Sequence, residues 1–490
     1  MTDTIRLSRP LQDAADSYDV VVVGSGYGAA IAASRMARAG RKVAVLERGR
    51  EIRPGDYPRT MSDAMAESQV TVQSTGAILG KPDGLYDLRL NGDMNVLVGC
   101  GLGGTSLINA NVALEIDKRL IDFFNWPKAF RDNPDLLDPY FARARSSLGS
   151  TPYPETTKLP KLDALRQSAK SMGAECYKPP INITFEDGEN AFGFEQSACT
   201  LCGDCCTGCN YSAKNTTLMN YLPDAVAFGA EIYCGAEVSH LSRDEAWHVH
   251  VTGRDSPIKA NHVILGAGTL GSTEILLHSQ HEGLTLSGAL GKRFSGNGDV
   301  LAFGYNANVT AETKVADART PLYGVGAGAH APDTPEYQPG PVIAGVIDMR
   351  DPHASLEDGL VIEDGILPGP LQSIWAGVFF LNDALSGNMF SYGDAAMRLE
   401  DAATVGNTVK AHPTGLTEWS YKGPVSRTMT YLVMSHDDSQ GEITLDQGDG
   451  RAGVVWPGVG RESTYLQDNK LLEAASQGIW AEEMANPIWT

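Results

Sequence analysis

The chain carries little positive charge for its size. Its 490 residues include 39 Lys and Arg against 60 Asp and Glu, which gives a formal net charge of −21. A protein with this balance repels phosphate backbones and anionic membranes, so nucleic acid is not an expected partner. The sequence also lacks any run that approaches the roughly 18 apolar residues of a membrane-spanning helix, and no membrane span is expected.

The N-terminal region lacks the features of an export signal. Residues 1–16 are polar and mixed in charge, without the basic segment, apolar core or twin-arginine pair that mark such signals. We therefore expect a cytoplasmic protein. Hydrophobic residues make up 42% and charged residues 20% of the chain, which excludes a disordered chain, a coiled coil and a collagen-like rod. The length predicts two or three interleaved domains.

A dinucleotide-binding pattern stands near the start of the chain. A strand-like segment, YDVVVV at 18–23, runs into a G-x-G-x-x-A turn, a helix-forming run and a second strand at 42–46. In this pattern the glycines allow a tight turn and a close approach of the backbone to a pyrophosphate, and an acid accepts a ribose hydroxyl. The predicted cofactor-binding residues are Gly24, Gly26, Gly28, Ala29 and Glu47. The motif alone does not distinguish FAD from NAD.

A second glycine-dense loop, NVLVGCGLGGTSLINAN at 95–111, brings in a family resemblance. The two segments resemble the glucose–methanol–choline (GMC) oxidoreductases, FAD enzymes that oxidise alcohols. Within that family they look most like the bacterial cholesterol-oxidase branch, whose loop reads GxGxGGxSxxNxxV. The resemblance continues in order along most of the chain, through KNTT at 214–217, VILGAGTLGSTEILL at 263–277, GNGD at 296–299 and MSHDD at 434–438.

The resemblance implies a fold class and a layout. We expect an α/β protein with a Rossmann-like FAD-binding domain and an interleaved α+β substrate domain built on an antiparallel sheet. The expected segments are 16–115 and 213–293 for the FAD-binding domain, 116–212 for a cap with a cysteine cluster, 294–462 for the substrate-binding domain, and 463–490 for the start of a return to the FAD-binding domain. Short β-rich runs after residue 294, among them WAGVFFLN at 375–382, predict the antiparallel sheet.

The resemblance also implies FAD contacts beyond the first motif. These residues are Gly103, Gly104, Ser106, Asn109, Val238 and Gly268. Asn109 would lie near the flavin ring, and Val238 would contact the adenine through its backbone. Gly268 belongs to a turn that would close against the pyrophosphate.

Five of the eight cysteines are clustered. Cys199, Cys202, Cys205 and Cys209 follow the C-x2-C-x2-C-x3-C spacing of a ferredoxin iron–sulfur cluster, and we predict these four as metal ligands. Zinc is an alternative, because Cys199/Cys202 and Cys206/Cys209 form two CxxC pairs, although a zinc ribbon separates its pairs by roughly 15–20 residues. Free or disulfide-linked thiols are the third alternative. A cluster would pass electrons from the flavin to an acceptor protein or quinone.

Glu363 is the predicted catalytic base. The segment LVIEDGILPGPLQ at 360–372 resembles the family segment that bears an active-site carboxylate, but Gln372 stands at the aligned position. An amide cannot serve as a general base, so Glu363 on the same segment is the better candidate, with Asn297 and Asp299 as further pocket residues. The expected reaction is hydride transfer from a secondary, sterol-like alcohol to flavin N5, with electrons passing to oxygen or to another acceptor.

One part of the family pattern is missing. In the family, a His in a C-terminal HPLGGC-like stretch acts as base or hydrogen-bond partner. This sequence stops at ANPIWT, and His412, in HPTG, lies upstream of the expected place. We therefore expect the chain to lack the catalytic histidine segment. The alternative function is an incomplete or non-catalytic FAD-binding or electron-transfer subunit that needs a complementary partner chain.

Overall fold

The computed structural model describes residues 6–122, 126–308, 322–334, 336–351, 353–385, 420–446 and 450–485. His412 lies outside these residues. Their strands are β1 Ser8–Arg9, β2 Ser17–Val23, β3 Val43–Glu47, β4 Ser68–Val72, β5 Ala77–Gly80, β6 Tyr86–Leu90, β7 Val96–Gly99, β8 Thr151–Pro152, β9 Glu175–Tyr177, β10 Pro180–Ile181, β11 Gly188–Glu189, β12 Glu195–Gln196, β13 Glu231–Cys234, β14 Val238–Arg243, β15 Trp247–Val251, β16 Ile258–Leu265, β17 Lys292–Phe294, β18 Val300–Tyr305, β19 Val346–Asp348, β20 Val361–Gly365, β21 Met429–Met434, β22 Gly441–Leu445, β23 Ala452–Val455 and β24 Glu482–Ala485.

The helices of the same residues are α1 Tyr27–Arg38, α2 Met61–Ala66, α3 Lys128–Asp132, α4 Asp138–Leu148, α5 Pro160–Met172, α6 Tyr221–Ala227, α7 Gly268–His281, α8 Gln372–Leu385 and α9 Ser463–Gly478. None of these helices has the length and apolar character that a membrane crossing needs.

A seven-stranded sheet carries the first glycine motif. Its strand order is β1-β13-β3-β2-β16-β15-β14, with β1, β13, β3, β2 and β16 parallel and the hairpin of β14 and β15 antiparallel at one edge. Residues 20–23 of β2 are buried, as expected for a central parallel strand covered on both faces. Ala29, Ala30 and Ala33 of α1 belong to the core that covers one face of this sheet. The predicted Rossmann-like architecture is confirmed.

A four-stranded sheet, β5-β4-β6-β7, has an unusual distribution of polar residues. Gln69, Asp87 and Arg89 lie on one face and are buried, whereas Leu79 and Leu97 lie on the other face and are exposed. The buried face is therefore polar. Asp87 and Arg89 on this face line the cavity described below.

A six-stranded antiparallel sheet is the main β structure of the second half of the chain. Its order is β24-β18-β21-β20-β19-β9. One face packs against α5 and α9, with Leu165 and Leu472 in the same core cluster as Ile362. Leu301, Leu432 and Glu363 form one row on the opposite face. The antiparallel sheet expected for the substrate domain is present, and the segment boundaries stay a prediction.

The segment WAGVFFLN at 375–382 is helical, so its prediction as a β run was wrong. Helix α8 starts at Gln372, directly after a 3-10 turn at Gly369–Leu371. Trp375 and Phe379 lie one helical turn apart, and each ring centroid is 5.0 Å from that of Phe303. The i, i+4 spacing places both rings on one helix face, and an apolar run this short does not reveal that period in the sequence.

Candidate functional site

A cavity of about 580 Å³ lies at the carboxyl ends of the central parallel strands. Its walls include Val23 at the end of β2, Leu46 near the end of β3 and Leu265 at the end of β16. Nucleotides bind in this position in open α/β sheets, because the loops that follow the strands diverge there. The cavity is therefore the candidate cofactor site.

The first glycine loop fits a pyrophosphate. Gly24 has φ +91, and a Cβ atom there would lie 2.5 Å from the carbonyl oxygen of Gly266, so only glycine fits. Gly26 and Gly28 line the cavity, and a Cβ atom at either would meet nothing within 4 Å. Gly26 also caps the N-terminus of the 12-residue helix α1, whose first N–H groups suit an anion. The three glycines thus lie where a pyrophosphate could be held, and their contacts with the cofactor stay a prediction.

Ala29 acts through packing and does not line the cavity. It is fully buried, and a Cβ atom on Gly266 would lie 2.6 Å from the Cβ of Ala29. The small side chain therefore lets α1 approach the loop after β16 closely. This agrees with the expected role of Ala29 in holding the helix against the strand.

Glu47 lines the cavity, but other groups of the chain already bind its carboxylate. It accepts hydrogen bonds from the Ser25 hydroxyl and from the backbone N–H of Gly49, at 2.8 Å for the latter. Burial raises the pKa of Glu47. The Ser25 oxygen in turn accepts a 2.8 Å hydrogen bond from the N–H of Gly103. Ser25 thus joins the two glycine loops, a role that sequence reasoning missed.

The second glycine loop contributes part of the wall. Gly104 and Ser106 line the cavity, whereas Gly103 does not and instead connects to Ser25. Asn109 donates a 2.9 Å hydrogen bond from Nδ2 to the Tyr27 hydroxyl, and its buried Oδ1 has no hydrogen-bond partner. A buried amide oxygen without a partner fits a residue that contacts a bound group, but Asn109 does not line this cavity, so its contact with the flavin stays a prediction.

The remaining predicted cofactor residues also lie at the cavity. Val238, at the start of β14, and Gly268, at the start of α7, both line it. Gly268 has φ +73, and a Cβ atom there would meet no other atom within 4 Å. The structure therefore brings together Gly24, Gly26, Gly28, Glu47, Gly104, Ser106, Val238 and Gly268 around one space.

Glu363 lies on β20, on the face of the six-stranded sheet opposite α5 and α9. It is buried, its Oε1 has no hydrogen-bond partner, and it does not line the 580 Å³ cavity. Burial, assisted by the charges of Asp364 and Asp299, raises the pKa of Glu363 to about 8. Burial also raises the pKa of Asp299 to about 6, and Asn297 donates a 3.3 Å hydrogen bond to its carboxylate.

The Glu363 face connects to the second glycine loop through apolar contacts. Leu432 is the cross-strand neighbour of Glu363. Leu432 packs on the same core cluster as Ala110, near the end of the second loop, and Val112, the residue just after it. Gln372, the residue aligned with the family carboxylate, is buried at the start of α8 and donates a 2.7 Å hydrogen bond to the Ser373 hydroxyl.

The four predicted metal ligands line a small separate cavity of about 20 Å³. All four are free cysteines, and burial raises the pKa of the Cys199, Cys202 and Cys205 thiols. Within the described ranges, no group of three or more His, Cys, Asp or Glu residues could hold a metal ion. The cysteines share a cavity, but this arrangement does not form the predicted metal site.

Lys214 links the cysteine loop to the second glycine loop. Its buried Nζ donates to the carbonyl oxygens of Leu107, Asn109 and Cys205 at 3.0, 2.7 and 3.0 Å. Three acceptors require three N–H donors, which only the ammonium form supplies. The sequence places Lys214 in a family motif but gives no sign of this connection.

The Rossmann-type sheet and the glycine loops around its cavity define a dinucleotide-binding protein. Residues 18–294 match the family described as GMC oxidoreductase. The chain belongs to this family, as its motifs predicted. GMC oxidoreductases bind FAD, and the cavity and its glycines fit that cofactor.

Individual relatives agree with the family assignment. The chain is 27% identical to a cholesterol oxidase of Mycobacterium tuberculosis, over 54% of this chain and 48% of the relative. It is 27% identical to a cholesterol oxidase of Acinetobacter baumannii, over 58% and 55%. A long-chain-alcohol oxidase of Arabidopsis thaliana is also 27% identical, over 46% and 26%. The chain spans about half the length of the bacterial relatives it matches.

Proposed function

We propose that the chain is an FAD-dependent oxidoreductase that oxidises the CH–OH group of a secondary alcohol with an apolar, sterol-like body. The pair of glycine loops joined by Ser25 around the 580 Å³ cavity carries the proposal, because glycine loops at the carboxyl ends of parallel strands suit the pyrophosphate of a dinucleotide. Two relatives named for cholesterol oxidation and one named for long-chain alcohols support an apolar substrate.

The chain's own residues would bind the cofactor and handle the proton. FAD, when bound, supplies the acceptor for a hydride. Glu363 would take the hydroxyl proton of the alcohol, because its raised pKa of about 8 makes its carboxylate a stronger base than an ordinary one. Phe303, which lies on the same face of the sheet, and its partners Trp375 and Phe379 would form an apolar wall that excludes water.

The direct test is reduction of the bound flavin without oxygen. FAD-loaded protein is mixed with cholesterol, a long-chain primary alcohol or a small polar secondary alcohol, and the loss of flavin absorbance is followed. We expect bleaching with cholesterol, and a rate lower by roughly 100-fold or more in Glu363→Gln. Glu357→Gln, in a short turn outside the strand, is the control. A loaded protein that no alcohol bleaches would contradict the proposal.

The second candidate function is electron transfer through the cysteine loop. The Lys214 ammonium supports it, because it contacts Asn109 and Cys205 together and so places the thiols near the loop expected to face the flavin. An iron–sulfur cluster at Cys199, Cys202, Cys205 and Cys209 would need these side chains to leave their described positions, which form no metal site, and would then supply a route for electrons to an acceptor protein or quinone. A broad brown absorbance in protein purified without oxygen would favour this version.

The incomplete-subunit alternative has its own discriminating result. Alcohol turnover by this chain alone would exclude a need for a complementary chain. Activity that appears only when a separate polypeptide with an HPLGGC-like segment is added would support that alternative. The cytoplasmic location expected from the N-terminal composition stays a prediction.

A further inference from the structure

Besides Glu47, six charged side chains line the cofactor cavity outside the two glycine loops. They are Arg48, Asp87, Arg89, Glu237, Glu274 and Arg451. They come from the end of β3, from β6, from α7 and from the residues just before β14 and β23. Three arginines and three carboxylates make the set neutral, and alternating ion pairs connect its members. We call this set the ion-pair clasp.

The inner part of the clasp is deeply buried. Asp87 accepts from Nη2 of Arg48 at 2.8 Å, and from Nε and Nη2 of Arg89 at 2.8 and 2.9 Å. The side chains of Asp87 and Arg89 are 1% and 7% exposed. Removal of one member would leave a buried charge without a partner, so these pairs hold one another in place.

The outer part of the clasp fastens the hairpin of β22 and β23. Glu274 of α7 lies 3.6 Å from Arg89 and 3.7 Å from Arg451, and Arg451 lies 3.2 Å from Glu237. Glu274 also accepts a 2.7 Å hydrogen bond from the N–H of Ala452, the first residue of β23. Exposure rises toward the rim, to 19% at Arg451 and 37% at Glu237.

We propose that the ion-pair clasp retains FAD, because its members line the cavity and the pairs of Arg451 with Glu274 and Glu237 fix the cavity wall next to Val238, where the adenine is expected. The inference rests on the proposed cofactor. A protein with a net charge of −21 repels an anionic dinucleotide, so long-range attraction does not keep the cofactor in place. A neutral clasp adds no such attraction and acts by holding the cavity wall in place around the cofactor.

The test measures cofactor release. FAD-loaded full-length protein is diluted into buffer without FAD, and the rise in flavin fluorescence gives the dissociation rate. We expect Arg451→Gln to speed release by about tenfold, because loss of a contact at a binding site acts mainly on the dissociation rate. Salt screens the exposed outer pairs, so release from the unsubstituted protein should accelerate with salt, and Arg451→Gln should respond less.

Arg254→Gln is the matched control. Arg254 is 17% exposed and pairs with Asp16 at 2.8 Å, close to the values for Arg451, but it does not line the cavity. We expect its release rate to stay within about twofold of the unsubstituted protein, because its ion pair does not contact the cofactor space. Glu274→Gln should match Arg451→Gln, and the double variant should be no faster than either, since both break one unit.

Each outcome decides the proposal. The proposal is overturned if Arg451→Gln releases FAD at the same rate as the control Arg254→Gln. The proposal is supported if the unsubstituted protein releases FAD more slowly in low salt than in high salt and Arg451→Gln does not show this difference. If melting of the cofactor-free protein shows that Arg451→Gln fails to fold, the rim variant Glu237→Gln takes its place. A protein that binds no FAD overturns the clasp together with the cofactor, whereas tight FAD binding without reduction by alcohols contradicts only the proposed reaction.

Discussion

The two faces of the six-stranded sheet differ in the hydrogen bonding of their buried carboxyl groups. On the helix-packed face, Asp364 accepts from Lys161 and from the backbone N–H groups of Ala344 and Gly345 at 2.7 and 2.8 Å. On the other face, Glu363 has a carboxyl oxygen without any partner. The two residues are adjacent in sequence, so strand alternation alone separates them. A buried carboxylate whose hydrogen bonds are all made stabilises the fold, whereas a buried carboxyl oxygen without a partner is a candidate for a catalytic role.

Thr430 extends the comparison to the neighbouring strand. It is the cross-strand partner of Gly365 and shares the Glu363 face of the sheet. Its buried hydroxyl oxygen also lacks a hydrogen-bond partner. Unpaired polar atoms therefore occur together on this face, as expected where a protein keeps groups available for a ligand.

Loss of the Glu363 carboxyl should have the largest effect. We expect Glu363→Gln to lower the rate of flavin reduction by roughly 10²–10⁴-fold, because it removes the proposed base. In the unsubstituted protein the rate should rise with pH through about 8, as Glu363 loses its proton. The measurement is anaerobic stopped-flow reduction across pH. A rise of the same shape in the Gln variant would assign the pH dependence to another group.

The raised pKa of Glu363 also makes stability depend on pH, in the opposite direction to the rate of flavin reduction. The pKa of Glu363 is about 8 in the folded protein against an ordinary 4.5, so folding takes up a proton between these values. The contribution of Glu363 to the free energy of unfolding is therefore full below pH 4.5 and decreases as the pH rises toward 8. Urea unfolding at several pH values should show this decrease in the unsubstituted protein and not in Glu363→Gln.

On the helix-packed face, Lys161→Met should destabilise the fold. It leaves Asp364 buried without its cation, and we expect the free energy of unfolding to fall by about 3–5 kcal/mol. The double variant Lys161→Met with Asp364→Asn should recover most of this loss, because an amide oxygen can still accept from the two backbone N–H groups. Urea unfolding measures both. A single variant as stable as the parent would show that the pair contributes nothing and would break the contrast between the faces.

Thr430→Val should raise stability slightly. It replaces an unpaired buried hydroxyl by a methyl group of the same shape, and we expect a gain of about 1 kcal/mol in the free energy of unfolding. Thr428→Val is the matched control, because the equally buried Thr428 hydroxyl donates a 3.1 Å hydrogen bond to Pro424 and its loss should destabilise. Equal effects of the two substitutions would show that the hydroxyl of Thr430 is not available to a ligand.

The smallest expected effect concerns Asp299. Its charge raises the pKa of Glu363, but less than burial does. We expect Asp299→Asn to move the midpoint of the pH profile to lower pH by less than about one unit, because burial still acts on Glu363. The pH dependence of flavin reduction measures the shift. A midpoint that moves to higher pH would show that Asp299 does not act on Glu363 through its charge.

The sequence predicted the local motifs well. The short strand–turn–helix segment places Gly24, Gly26, Gly28 and Glu47 around the cavity, and their contacts with a cofactor stay a prediction. Gly103 is a partial exception, because it binds Ser25 and does not line the cavity. This hydrogen bond depends on how the two glycine loops contact each other, and the sequence of either loop does not predict that contact.

Contacts between distant segments were beyond prediction. The ion-pair clasp joins residues as far apart as Arg89 and Arg451, and charged residues of this kind have no spacing signal in a sequence. The cysteine spacing predicted a metal site, whereas the part of the chain that the structure describes has no group of three or more His, Cys, Asp or Glu residues placed to hold a metal ion. Helix α8 was predicted as a strand because a short apolar run fits either period.

The contacts of Asp364 also bear on how β20 can vary among homologues. Insertion or deletion of a single residue in this strand would exchange its two carboxyl groups between the faces, which would separate Asp364 from Lys161 and turn Glu363, the proposed base, toward α5. The pairing of Asp364 with Lys161 and two backbone N–H groups opposes such a slip. We therefore expect this strand to keep a constant length over evolution, even where its apolar residues are exchanged.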